Sequence, residues 1–207
     1  MKIIRKEDTF TREWSGGTTT QLAICPPEAD YADRDFVWRL STAVVRDEES
    51  TFTPLPDYHR LLTLREGCLE LRHDDGAWYT LPVGQIASFD GGSKTVSRGR
   101  VTDFNLMLRK GKSEGSLAVR SFEKAGTDIP FGEVFPGEDA SGTDQLQGLF
   151  VSKGEIILQK KENEEIQLSA GDLILYTADD SERPEVLRVA EAGLLIGIRI
   201  VCDDAEG

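Results

Sequence analysis

Apolar residues in this chain recur at every second position far more often than at helical spacing. Phe36–Val45 is an almost unbroken strand pattern with Arg39 and Ser41 set into it, and Val101–Arg109 alternates polar and apolar groups. Thr18–Ile24 is a Thr-rich run that ends at Pro26-Pro27. Short runs of period two bounded by Gly and Pro predict β-strands. The same pattern predicts strands over Leu117–Phe122, Glu185–Val189 and Leu194–Val201. Polar and Pro- or Gly-rich stretches predict loops over 28–35, 52–58 and 126–142, with a turn over 47–50. No segment sustains a 3.6-residue period, so the expected class is all-β, a sandwich or jelly roll.

One pattern occurs twice. Leu62–Phe89 holds a strand, Arg65-Glu66-Gly67, a second strand, a polar gap, Leu81-Pro82-Val83-Gly84 and a further apolar strand. Leu149–Tyr176 repeats these elements with Ser152-Lys153-Gly154 and Leu168-Ser169-Ala170-Gly171. Gly67 and Gly154 lie 87 residues apart, as do Gly84 and Gly171, so the two windows align without a gap. A repeat of this length reads as one supersecondary unit used twice. Each repeated Gly falls where a tight turn needs positive φ or where two backbones come close. The expected division is a first half over residues 1–115 and a second over 116–207.

Composition narrows the function classes. The chain has 207 residues and a net charge of −13. Residues 121–207 carry 19 acidic and 7 basic side chains, which leaves the rest of the chain near neutral. The acidic half repels phosphate backbones, so no nucleic-acid partner is expected, and a small anion would find its place in the first half. No apolar run approaches the ~20 residues of a membrane span, and Glu7-Asp8 interrupts any secretory segment. The expectation is a cytoplasmic protein without a membrane partner. Cys25, Cys68 and Cys202 share no metal-ligand spacing and are read as free thiols; a homodimer is allowed.

Candidate chemistry concentrates in the first half. Arg39 and Ser41 share one strand face, as do Asp103, Asn105 and Met107. If both faces look into one interior, Arg39, Ser41, Asp103 and Asn105 line a small polar pocket. Arg39 would clamp a carboxylate with its planar fork, and Asn105 would face an amide. The alternative is an Arg39–Asp103 pair with a purely structural role. Arg60 is a second anion clamp or a surface residue. Trp14 walls a pocket, with Gly16-Gly17 exposing backbone N–H groups, or else staples the chain to the sheet. His59 and His73 are the two histidines, and neither has a second His nearby, so no metal and no other cofactor is expected. The paired carboxylates Glu48-Glu49 and Asp179-Asp180 read as solvated turns.

Several of these segments carry a family resemblance. They are Trp14-Ser15-Gly16-Gly17-Thr18-Thr19-Thr20-Gln21, Phe36–Ala43, Phe52–Pro56, Arg60–Gly67 and Asp103–Arg109. In order and spacing the first half resembles the HutD/Ves family, and the duplicated hairpin resembles the cupin core motif. The second half matches only as a cupin hairpin. Two departures bear on loop contacts: the Gly loop after Trp14 is shorter, and Pro56-Asp57 replaces Pro-Gly. The resemblance implies a double-stranded β-helix (jelly roll) bicupin, two cupin-like barrels in one chain. It also implies family-type polar strand positions at Thr19 and Gln21. The implied function is a metal-free small-molecule-binding or regulatory protein, linked to histidine utilisation through a small anionic metabolite such as formylglutamate. The candidate ligand-binding set is Trp14, Gly17, Thr19, Gln21, Arg39, Ser41, Arg60, Asp103 and Asn105. The alternatives are a metal-independent enzyme on a small acidic metabolite, with Asp103 or His59 as general base, or a structural or stress-related protein without a catalytic site.

Overall fold

The computed structural model describes residues 1–135, 145–160, 164–177 and 184–202. The expected end of the 126–142 loop, the Asp179-Asp180 pair and the acidic tail lie outside the described residues. Seventeen strands are formed among those described: β1 (Lys2–Ile4), β2 (Phe10–Trp14), β3 (Gly17–Cys25), β4 (Trp38–Val45), β5 (Glu49–Thr51), β6 (Tyr58–Glu66), β7 (Cys68–His73), β8 (Tyr79–Pro82), β9 (Ile86–Asp90), β10 (Thr95–Arg98), β11 (Val101–Arg109), β12 (Ser113–Phe122), β13 (Asp128–Pro130), β14 (Gln145–Gln159), β15 (Glu165–Ser169), β16 (Leu173–Thr177) and β17 (Val186–Cys202). Only two short 3-10 turns, Lys6–Asp8 and Phe131–Val134, accompany them. The protein is all-β, and no helix among the described residues is long and apolar enough to cross a membrane.

The chain divides into two compact units, residues 9–114 and residues 1–8 with 115–207. In the first, a six-stranded sheet has the order β2-β3-β4-β11-β6-β9 and a four-stranded sheet the order β5-β10-β7-β8. All their ladders are antiparallel. Leu62 and Leu64 from the larger sheet pack with Leu69, Leu71 and Leu81 from the smaller one, and this shared core joins the two layers. Each sheet is an open ladder, and no hydrogen-bonded path among the described residues closes a barrel.

The second unit is built on the antiparallel path β1-β16-β14-β17-β12, with β13 on β17 and β15 on β14. Residues 1–8, grouped with the first half on sequence, contribute β1 here: Ile3 pairs with Ile174, and Arg5 bonds the Asp172 carboxylate at 2.8 Å. The sequence pattern in this stretch is too short and too polar to name its partner strand.

The repeat is realised at the backbone. β9 and β16 occupy equivalent positions, each 87 residues apart from end to end. All four repeated glycines adopt positive φ: Gly67 at 91°, Gly84 at 93°, Gly154 at 82° and Gly171 at 104°. The copies differ at the first of these turns. At Gly67 the chain leaves one sheet for the other, whereas at Gly154 it stays in the single strand β14 and is bent by register shifts at Lys153 and Glu155. The same bulges let residues 186–202 run as one strand where two were expected, because Gly193 admits the Lys153 carbonyl close to its Cα. The turn expected over 47–50 already yields to β5 at Glu49, which pairs with β10.

Candidate functional site

Strand register assembles the site. β4 and β11 are adjacent, with Arg39 opposite Met107, Ser41 opposite Asn105 and Ala43 opposite Asp103. On the other flank of β11, Arg60 of β6 is also opposite Met107. Period-two alternation sends all of these side chains to one face of the six-stranded sheet. They open into a cavity of about 520 Å³. Of the nine candidate residues, eight line it: Trp14, Thr19, Gln21, Arg39, Ser41, Arg60, Asp103 and Asn105.

Gly17 does not line the cavity. It closes the two-residue turn between β2 and β3, and a Cβ there would meet the Val44 carbonyl oxygen at 1.9 Å. Its role is close backbone approach. Trp14 is partly exposed at the cavity edge, and its ring covers Gly16.

The two arginines are held differently. Arg39 is buried; its Nε donates to Gln21 Oε1 at 2.9 Å and its Nη1 to Ser41 Oγ at 3.1 Å. Its guanidinium centre lies 4.3 Å from the Tyr31 ring centroid. No ion pair joins it to Asp103 among the described residues, so the structural Arg39–Asp103 pair is not formed. Arg60 is also buried, with its guanidinium centre 4.7 Å from the Phe52 ring and 5.5 Å from the Phe89 ring. Its Nε has no hydrogen-bond partner among the described residues. Burial pushes the Arg60 guanidinium down to about 10, and Arg39 is lowered by burial as well. Both stay protonated at neutral pH.

Asp103 is the acidic member. Its Oδ1 accepts the Ala43 backbone N–H at 3.0 Å. Burial raises this carboxyl to about 6, against the opposing pull of that N–H and of Arg60, Arg65 and Arg39. Arg65 lies on the alternate face of β6 and donates to Thr42 Oγ1 at 3.0 Å. Two residues from Asp103, the Asn105 side-chain oxygen is buried without a partner among the described residues. A buried unpartnered donor at Arg60 and a buried unpartnered acceptor at Asn105 each carry a desolvation cost that a ligand would remove.

Phe10, Arg12, Tyr31 and Phe52 are among the lining residues outside the candidate set read from the sequence. Phe10 and Arg12 alternate with Trp14 on β2, and this period-two signal was available. Tyr31 and Phe52 come from loops, where no periodicity indicates direction. Arg12 reaches Asp30 at 3.8 Å across exposed side chains.

Cupin metal chemistry requires clustered imidazoles. Here His59 bonds Ser88 Oγ at 2.7 Å, and His73 bonds Thr95 and Tyr79, both away from the cavity lining. No three His, Cys, Asp or Glu side chains converge among the described residues. These residues do not fit a cupin metal centre. The position of His59 also removes it as a base for chemistry in the cavity.

Comparison with curated protein sequences returns no match. Among solved structures, the conserved protein PA5104 from Pseudomonas aeruginosa PAO1 shares 24% identity at a TM-score of 0.74, covering 97% of this chain and 98% of that one. HutD from Pseudomonas fluorescens SBW25 shares 22% identity at a TM-score of 0.69, covering 98% of both chains. A cupin 2 conserved barrel domain protein from Leptotrichia buccalis shares 13% identity at a TM-score of 0.54, with 98% and 96% covered. These likenesses are of fold. The HutD family profile matches residues 6–194, nearly the whole chain and both halves of the repeat. The chain belongs to the HutD family.

Proposed function

We propose that this protein is a metal-free bicupin that binds a small anionic metabolite in the cavity of residues 9–114, in the cytoplasm, as a regulatory component of histidine utilisation. The observation that carries the reading is Arg60: a buried guanidinium with, among the described residues, an unpartnered Nε and no ion-paired carboxylate, beside a second buried guanidinium at Arg39. A buried guanidinium that hydrogen-bonds no carboxylate is costly, and an anion between the two arginines would offset that cost. The cavity volume suits a ligand of amino-acid size. Membership of the HutD family supports N-formylglutamate as the first candidate, because its carboxylates match the arginines and its amide matches Asn105.

Isothermal titration with N-formyl-L-glutamate, glutamate, urocanate and histidine tests the reading. Saturable binding of an acidic member, weakened at least tenfold in Arg60→Met, is expected; no binding across the set would overturn it. A second reading, a metal-independent enzyme, rests on Asp103, whose raised value suits a general base near neutral pH. Turnover of the bound acid would favour it, and recovery of the acid unchanged would exclude it.

A further inference from the structure

We propose that anion binding in this cavity is proton-coupled: the anion takes over the guanidiniums that hold Asp103 ionised, and Asp103 takes a proton from solvent. The inference rests on the anion-binding reading and concerns how that site is regulated.

The geometry comes first. Asp103 is buried and lines the same cavity as Arg39 and Arg60. One carboxylate oxygen is satisfied by the Ala43 N–H, and no ion pair is formed by Asp103 among the described residues. Its negative charge is therefore balanced through space by Arg60 and Arg65 of β6 and Arg39 of β4. Other charged or titratable groups of the lining are Arg12 and Glu13 of β2 and Asp30 and Tyr31 of the β3–β4 loop. His59 and His73 lie outside the lining.

An anion seated between Arg39 and Arg60 adds a second negative charge beside Asp103 at the buried part of the cavity. Two such charges sharing a site cannot both remain ionised at little cost, and the less well compensated one protonates. The ligand has carboxylates of ordinary acidity and makes the new contacts with the arginines. Asp103, already raised by burial, is the group that yields. The balance is simple: one proton moves from bulk water to the Asp103 carboxylate, and the bound state holds a neutral acid beside an anion–guanidinium cluster.

The test is calorimetric titration of the full chain with N-formyl-L-glutamate at pH 7.0 in PIPES, HEPES and Tris. The slope of binding heat against buffer ionisation enthalpy counts protons. Wild type is expected to take up close to one proton, and its affinity to fall by up to about tenfold per pH unit above pH 6. Asp103→Asn is expected to give a zero slope and a flat affinity profile, with folding checked by circular dichroism. If that variant does not fold, the wild-type slope alone decides. Binding with no proton uptake by wild type, or uptake that persists in Asp103→Asn, would overturn the coupling and leave the anion-binding reading intact. Absence of binding at every pH would remove the anion-binding reading, and the coupling with it.

Discussion

The Tyr31 ring lies 4.3 Å from the centre of the Arg39 guanidinium, and Gln21 and Ser41 hold the guanidinium edge. The arginine is thus oriented by an aromatic face from a loop and by two hydrogen bonds from strands. Tyr31→Ala removes the face and leaves the edge. Anion affinity is expected to fall about two- to thirty-fold, equivalent to about 0.5–2 kcal/mol, as measured by titration calorimetry. Unchanged affinity would mean that the loop does not position Arg39.

Arg60 has the opposite balance of stability and binding. Its buried guanidinium is compensated by two aromatic faces but by no carboxylate among the described residues. Its attraction to Asp103 acts only through space, so an apolar chain of similar length relieves more desolvation than it loses in attraction. Arg60→Met is expected to raise the melting temperature of the ligand-free protein by about 2–4 °C, the equivalent of about 1 kcal/mol for a chain of this size. Anion affinity is expected to fall at least tenfold. A lower melting temperature would show that the aromatic contacts outweigh burial.

Asp103 links stability to pH. Its folded value of about 6 lies above the ordinary 3.8, so the folded state holds this proton more tightly than the unfolded chain does. The stability contributed by the protonated acid is complete below about pH 4 and is lost as pH rises towards 6, by at most about 3 kcal/mol. Asp103→Asn does not titrate and can still accept the Ala43 N–H. Urea denaturation of both proteins should show the variant's relative advantage growing from pH 4 to pH 6 and levelling off above. A pH-independent difference would rule out this linkage.

The repeated glycines separate backbone strain from crowding. A Cβ on Gly84 meets nothing within 4 Å, so Gly84→Ala carries only the cost of positive φ, about 1–2 kcal/mol. A Cβ on Gly154 would lie 2.6 Å from the Ala192 carbonyl oxygen and 2.7 Å from that of Glu191. Gly154→Ala is expected to cost more than Gly84→Ala in chemical denaturation. Equal costs would mean that β17 moves aside freely.

The site was legible in the sequence as far as strand alternation reaches. Arg39, Ser41, Asp103 and Asn105 were grouped because alternation alone fixes which side chains share a face, and the register of β4 against β11 places those two faces together. Arg60 precedes an apolar run, Leu61-Leu62-Thr63-Leu64, whose two faces give no inside or outside, so the sequence leaves both of its roles open. Tyr31 and Phe52 escaped because loop direction is set by the sheets that the loops join. The duplicated glycines revealed the repeat, but not that one copy turns between sheets while the other bends within a strand. That difference depends on which strand pairs next, a long-range property.

The pairing of β1 with β16 has a consequence for how the chain is made. Lys6 and Arg5 hold Asp172 across sequence separations of 166 and 167 residues. At ribosomal rates of 5–20 residues per second, β1 emerges roughly 10–30 s before its partner exists. Residues 9–114 have all their strand partners within their own span and can fold in that interval, while the first strand waits unpaired. An N-terminal fusion or a deletion of residues 2–6 would therefore register at the far end of the chain, in the edge of the second sheet, with the arginine-lined cavity left as it is.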